Sequence, residues 1–184
     1  MKRLFTLIFS ICLFVNLPAV ASAIMLGLST EDMTMEAQIV IIGTAQQVEP
    51  KWTVNQGAIY TEVQVNVEEV IKGKLDTDTV VVTYLGGEIG DLGFRVSDTP
   101  TIEKGENILL FLKPDTNNQN VRSTTIKNTF QIVGSAQGKY SIDNRKMASK
   151  RGFDLIAEDD SKVDRDIPLN ELIEKIKATD GGTQ

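Results

Sequence analysis

The segment 59–87 constrains the fold more than any other part of the chain, because its side chains alternate in character. The apolar or β-branched positions are Ile59, Thr61, Val63, Val65 and Val67, and they alternate with Tyr60, Glu62, Gln64 and Asn66. A period of two is typical of a strand with one face against a core. A polar link at 72–78 then leads to a second β-branched run, Thr79–Leu85, which ends at Gly86 and Gly87. Two such runs across a short polar link predict an antiparallel strand pair.

Other short β-type runs follow at similar spacing, and a helix is predicted near each end. The runs 39–45 (IVIIGTA) and 107–113 (NILLFLK) are nearly continuous in apolar residues, which favours buried strands. A short strand is also predicted at 94–97, between the glycine-spaced stretch and the next turn. Ser29 stands where it can cap a short N-terminal helix. The C-terminal stripe consists of Leu169, Leu172, Ile173 and Ile176, at helical spacing. We therefore predict a mostly β fold, a small antiparallel β-barrel (OB-like) with a short N-terminal helix and a C-terminal amphipathic helix.

The first residues have the pattern of a secretory signal peptide. Lys2 and Arg3 precede an apolar stretch at 4–20, and Ala21-Ser22-Ala23 fits a signal-peptidase site. The alternative is a transmembrane anchor, for which the apolar run is marginal in length. The predicted organisation is a signal peptide at 1–23, a single β-rich domain at 24–178 and a flexible tail at 179–184. We expect a secreted or periplasmic protein with no membrane anchor after cleavage.

The residue inventory excludes several functions. The chain has no histidine, and its only cysteine, Cys12, would leave with the signal peptide. A Ser-His-Asp triad, a Cys-His pair and a histidine- or cysteine-built zinc site all need residues that the mature chain lacks. Cleavage would shift the net charge from −6 to −8, because the removed segment holds Lys2 and Arg3 and no acid. No basic patch indicates a nucleic-acid partner, and we predict no cofactor, no metal and no catalytic residue.

The candidate ligand-binding residues are Trp52, Glu88, Asp91, Asp115 and Asn117. Trp52 is the only tryptophan and lies in the predicted loop 46–58, whereas the glycine-spaced stretch 86–93 carries Glu88 and Asp91. If the strands form a meander, these loops and the polar loop 114–120 converge at one end of the barrel. An aromatic platform ringed by acids and amides suits a glycan or a basic peptide. The alternatives are that Trp52 closes the barrel end, that the glycines form tight bends, and that 114–120 is an ordinary hairpin loop.

Four stretches carry a family resemblance: YTEVQVNVEEVIKGKL, GGEIG, GENILLFL and VGSAQGKYSI. Together they resemble a group of small secreted bacterial β-domains with no assigned activity. A short capped helix leading into a barrel is also similar to the netrin-like and tissue metalloprotease-inhibitor domains, which are related to the OB-fold. That second resemblance implies protease inhibition through an N-terminal cysteine and a disulfide framework. The mature chain, which would begin near Ile24, has neither.

These observations favour a secreted, non-catalytic binding or accessory domain with a protein or glycan partner. The two alternatives are a carboxylate-dependent hydrolase and an extracellular protease inhibitor. A deep pocket with two convergent acids would favour the hydrolase. An exposed aromatic patch would favour binding, and a protruding mature N-terminus would favour the inhibitor.

Overall fold

The computed structural model describes residues 26–115, 129–153, 155 and 160–182. Two α-helices, ten strands and two short 3₁₀ helices make up the regular structure of this part of the chain. The elements are α1 (Thr30–Glu36), β1 (Ile39–Trp52), β2 (Ile59–Lys72), β3 (Thr79–Leu85), β4 (Gly87–Ile89), β5 (Leu92–Phe94), β6 (Asn107–Pro114), β7 (Thr129–Ile132), β8 (Lys139–Ile142), β9 (Met147–Ser149), β10 (Asp166–Pro168) and α2 (Leu169–Gly181).

Five strands close into a barrel in the order β1–β2–β3–β7–β6, and β6 returns to pair with β1. The pairings around the barrel are antiparallel except that of β3 with β7, which is parallel. The strands β8, β9 and β10 extend the sheet outward from β6. The predicted small β-barrel with two helices is confirmed, and its strand order is a Greek key of the OB type rather than a meander.

The inward-facing side chains of the barrel form one apolar cluster. Its members include Ile41, Val63, Val65, Val80, Val82, Ile108, Leu110 and Leu112. Val63 and Val65 occupy the apolar phase of the alternation in β2, and both are fully buried. The period of two in the sequence therefore corresponds to the inside and the outside of the barrel wall.

The two helices cover part of the outer wall and enclose a second apolar cluster. Leu172 and Ile176 of α2 are fully buried in it, and Ile173 packs against it half-buried. Ser29 and Asp32 form a reciprocal capping box at the start of α1, which confirms the predicted cap. The helix α2 continues to Gly181, three residues into the predicted tail. Within the described part of the chain, neither helix is long and apolar enough to cross a bilayer.

Two predicted boundaries are wrong. The predicted loop 46–58 is shorter, because its first seven residues belong to β1 and pair with β2. Pro50 is tolerated there because β6 pairs only with Ile39–Thr44, which leaves the other edge of β1 free beyond that point. The predicted strand 94–97 is also not a barrel strand: β5 ends at Phe94 and pairs with β4 alone.

A lysine is buried between the helices and the barrel. Lys150 follows β9 and is 0% exposed. Its Nζ lies 4.5 Å from the centroid of the Tyr140 ring and 3.8 Å from the Sδ of Met33. Burial lowers the pKa of Lys150 to about 7, although the charge of Asp164 partly opposes this shift. The Asp164 carboxylate itself accepts hydrogen bonds from Thr30 and Lys175.

This burial predicts a specific dependence of stability on pH. Between about pH 7 and the ordinary lysine pKa near 10.4, the unfolded chain holds a proton on Lys150 that the folded chain releases. The free energy of unfolding should therefore rise with pH across this range, by at most about 1.4 kcal/mol per pH unit. Well below pH 7 the lysine is protonated in both states, and its titration no longer changes the free energy of unfolding.

The variant Lys150→Met removes the titrating group and keeps an unbranched apolar stem. Urea unfolding of both proteins at pH 7, 8 and 9 isolates the effect of Lys150, since all other groups are shared. We expect the stability of the wild type to increase relative to the variant over this interval. If the free energies of unfolding of the two proteins changed equally with pH, Lys150 could not be neutral in the folded state.

Candidate functional site

A recess of about 340 Å³ lies at one end of the barrel. It lies where β1 and β3 end and β2 begins, and we call this end the mouth. Its lining residues are Thr61 and Tyr84 from the barrel wall, Gly86, Gly87 and Glu88 at the start of the β4–β5 hairpin, and Phe94, Arg95, Val96, Thr99, Pro100 and Thr101 from the segment that follows. The cavity thus combines aromatic rings, hydroxyl groups and one charged pair.

Two glycines place the β4–β5 hairpin directly over the barrel end. Gly86 and Gly87 both have positive φ angles, +112° and +143°, which turn the chain sharply after β3. The Gly86 amide donates to the carbonyl of Ile59 at 2.8 Å, and its carbonyl accepts from the Thr61 hydroxyl at 2.7 Å. A Cβ at Gly87 would lie 2.7 Å from the Thr61 oxygen and 3.0 Å from Pro50. Only glycine permits so close an approach.

The segment 95–101 closes the mouth from the other side. The Ala136 amide donates to the carbonyl of Asp98 at 2.9 Å, which ties this loop to the 3₁₀ turn Ser135–Gly138. A second cavity of about 210 Å³ lies on the far side of the loop, against β3 and β7. Both cavities share Tyr84, Val96, Thr99 and Pro100. The 95–101 loop is therefore a narrow partition between two recesses.

The charged groups around the mouth are mostly paired. Arg95 Nη2 lies 3.2 Å from Glu88 Oε1, and both side chains are largely exposed. On the outer face of the β1–β2 pair, Lys51 bonds to the buried Glu62 and lies 3.2 Å from Glu49. Partial burial lowers the pKa of Lys51, but the hydrogen bonds to Glu62 and Glu49 outweigh it and the net shift is upward. Lys51 remains a cation at any ordinary pH.

Tyr84 is the one polar aromatic residue among the described residues that line the mouth cavity. Burial raises the pKa of its hydroxyl, although hydrogen bonding with Thr61 partly opposes this shift. The hydroxyl therefore stays protonated and can both donate and accept a hydrogen bond. Thr61 and Tyr84 were not among the predicted site residues. Their position in the inward phase of β2 and β3, near the ends of both strands, is the sequence signal that could have identified them.

The structure brings three of the five predicted site residues to the mouth. Trp52 is the last residue of β1, opposite Ile59, and is 40% exposed. Glu88 lines the cavity, and Asp91 lies in the turn between β4 and β5. Trp52 belongs neither to the cavity lining nor to the three apolar clusters of the described chain.

The other two predicted residues do not join them. Asp115 follows the last residue of β6, which runs antiparallel to β1, so it lies toward the opposite end of the barrel from Trp52. Its carboxylate accepts hydrogen bonds from Thr83 at 2.9 Å and Gln131 at 2.7 Å. Asn117 lies outside the described residues. The predicted convergence of three loops is wrong because β5 is not a barrel strand, and the chain therefore reverses once fewer between β3 and β6.

Exposed apolar side chains concentrate at the mouth. The described chain exposes eight large hydrophobic residues, of which only Leu26, Met35 and Val70 lie elsewhere. The other five, which we call the apolar rim, are Trp52, Val54, Leu85, Leu92 and Val96. Single exposed apolar residues are ordinary on a protein surface, but several at one end of a fold are typical of an interaction site.

Among the residues that line the mouth cavity, Glu88 is the single carboxylate, and it is engaged with Arg95. Acid–base hydrolysis of a glycoside needs two carboxylates at a defined separation across the substrate. Among the described residues, no group of three or more histidine, cysteine, aspartate or glutamate side chains is placed to hold a metal ion.

Comparison with known proteins adds no assignment: no family model matches the chain, and no curated protein matches it significantly.

The backbone at Gly87 lies so close to Thr61 and Pro50 that a side chain there should disturb the β4–β5 hairpin. Gly87→Ala should displace the β4–β5 hairpin, because the new methyl group would overlap Thr61 and the positive φ would be strained. Gly57→Ala is the matched control at the same end of the barrel, since a Cβ there meets nothing within 4 Å. We expect a lower thermal midpoint and faster amide exchange of 86–101 for Gly87→Ala only. Equal behaviour of the two variants would show that the hairpin is not held as described.

Proposed function

We propose that the protein is a secreted or periplasmic, non-catalytic binding or accessory domain whose protein or glycan ligand docks at the mouth. The observation that carries this proposal is the coincidence of a 340 Å³ recess with the apolar rim at one end of a closed barrel. A recess of this size lies within the range of ordinary ligand pockets. The barrel supplies a rigid frame, and the hairpin and the 95–101 loop supply the contact surface.

The two alternative functions receive less support from the geometry. A hydrolase acting at the mouth would require a second acid facing Glu88 across the cavity, and no other described residue that lines it is acidic. An inhibitor acting through a free N-terminal segment would require that segment to project. The first residues that the structure describes do not project: Gln137 accepts a hydrogen bond from the Leu28 amide at 2.8 Å and donates one to the Leu26 carbonyl at 2.9 Å.

Export is part of the proposal and has its own test. If 1–23 act as a signal peptide, the intact mass of the exported protein should correspond to a chain that begins at Ile24. The expected product carries no lipid, because Cys12 would be lost with the signal. A mass that includes Met1–Ala23, or an acyl increment, would contradict the proposed export and cleavage.

Trp52 provides the sharpest test of ligand binding at the mouth. Trp52→Ala should abolish retention of the mature domain on a glycan or peptide array, because exposed aromatic residues at a binding surface are frequent hot spots. The thermal midpoint should stay within about 2 °C, since the side chain lies outside the apolar clusters.

Val70→Ala is the matched control for this experiment. Val70 has a similar exposed fraction, 37% against 40%, and lies on β2 far from the strand end that forms the mouth. Retention should be unchanged in this variant. Early unfolding of Trp52→Ala would identify the indole as a plug of the barrel end, and equal retention by both variants would place the ligand elsewhere.

A further inference from the structure

We infer that the ligand of the mouth is a polypeptide segment in which apolar side chains are flanked by lysine or arginine. This inference rests on the proposed function and narrows it to one class of partner. Two independent features of the mouth support it: the chemical character of its exposed apolar groups, and the sign of the charge that is left uncompensated around them.

The apolar rim is mainly aliphatic. Four of its five members are Val54, Leu85, Leu92 and Val96, and Trp52 is the single aromatic side chain. A sugar ring is recognised by stacking on aromatic faces together with many directed hydrogen bonds, whereas aliphatic side chains offer a sugar little. Branched aliphatic groups around a recess match the apolar side chains of a protein partner, whose contact area becomes dry on binding.

The charge at the mouth is negative once the internal ion pairs are counted. The segments 49–54, 59–62 and 84–101 carry five acids and two bases, namely Glu49, Lys51, Glu62, Glu88, Asp91, Arg95 and Asp98. Lys51 is shared by two of the acids, and Arg95 is engaged with Glu88.

Two acids remain after this pairing. Within the described part of the chain, the carboxylates of Asp91 and Asp98 form no ion pair. Asp91 lies beside Leu92, and Asp98 lies two residues from Val96, so each uncompensated charge adjoins a member of the apolar rim. A partner that places basic residues on either side of an apolar anchor would match this arrangement and gain in both affinity and association rate.

The recess suits a single anchoring side chain of such a segment. Its walls combine the rings of Tyr84 and Phe94 with Pro100, and hydroxyl groups of Thr61 and Thr99 lie beside them. An aliphatic or long unbranched side chain can pack against the rings while neighbouring backbone groups meet the hydroxyls. The extended chain on either side would then cross the rim near Asp91 and Asp98.

The experiment uses an array of twelve-residue peptides that share a Leu-Met-Phe centre and differ only in their flanks. The flanks are lysine and arginine, serine and glycine, or aspartate and glutamate, and a glycan array is probed in parallel with the same labelled mature domain. We expect retention on the basic-flank peptides to exceed that on the acidic-flank peptides by about tenfold or more, and to fall as salt is raised.

Matched variants connect retention to the residues named. Asp91→Asn with Asp98→Asn should weaken basic-flank binding several-fold, whereas Asp76→Asn with Asp78→Asn, in the β2–β3 turn at the other end of the barrel, should not. Leu92→Ser should also weaken it, and Met35→Ser is its control because the two residues are equally exposed, 61% and 62%.

Every outcome bears on the inference. Stronger basic-flank binding that responds to Asp91, Asp98 and Leu92 supports it. Equal retention of all flank classes, or retention on glycans alone, overturns it. If glycan retention is lost in Trp52→Ala, the proposed function stands while the polypeptide assignment falls. If neither array retains the domain, the proposed function and this inference both fall.

Discussion

The close approach of β1 to β2 at Gly43 is the constraint on which the barrel depends. Gly43 pairs with Val67 of β2 on one side and with Ile108 of β6 on the other. A Cβ at this position would lie 2.2 Å from the carbonyl oxygen of Asn66. A register shift between β1 and β2 occurs next to Gly43, as expected where a strand bends in order to pair with two neighbouring strands. A side chain here would push β1 and β2 apart at a position where β1 also pairs with β6.

Closure at Gly43 determines where the remaining polar and apolar groups can go. The first half of β1 is enclosed between β2 and β6, so its outward side chains must be covered by another layer. The helices α1 and α2 supply that layer, and Lys150 is trapped within it beside Tyr140. The second half of β1 runs past Asn107, the first residue of β6, and among the described strands pairs only with β2. That unsupported half carries the β4–β5 hairpin, and the mouth forms there.

The sequence predicts the local elements well because each depends on neighbouring residues. The alternation in β2 predicts which side chains face inward, and Ser29 predicts the start of α1 because a cap needs only the next three residues. The parallel pairing of β3 with β7 joins segments about fifty residues apart, and no local pattern encodes it. The burial of Lys150 could not be predicted from the sequence either. A lysine in a polar, basic stretch is expected to be exposed, and only the packing of α1 over it shows otherwise.

The candidate site was predictable to the extent that it depends on chain direction alone. Trp52 and Glu88 lie at the same end of the barrel because β1 and β3 run the same way, each antiparallel to β2. Asp115 does not lie at the mouth, because the strand predicted at 94–97 does not cross the barrel. The chain instead forms the β4–β5 hairpin there.

That same hairpin keeps the exposed side chains of the mouth apart from the core of the fold. The barrel core and the helix layer hold the buried apolar clusters, whereas the hairpin and the 95–101 loop contribute mostly exposed or half-buried side chains. Changes in the exposed residues at the mouth therefore alter this surface with little effect on the core, and the proposed binding role relies on that arrangement of loops on a rigid scaffold.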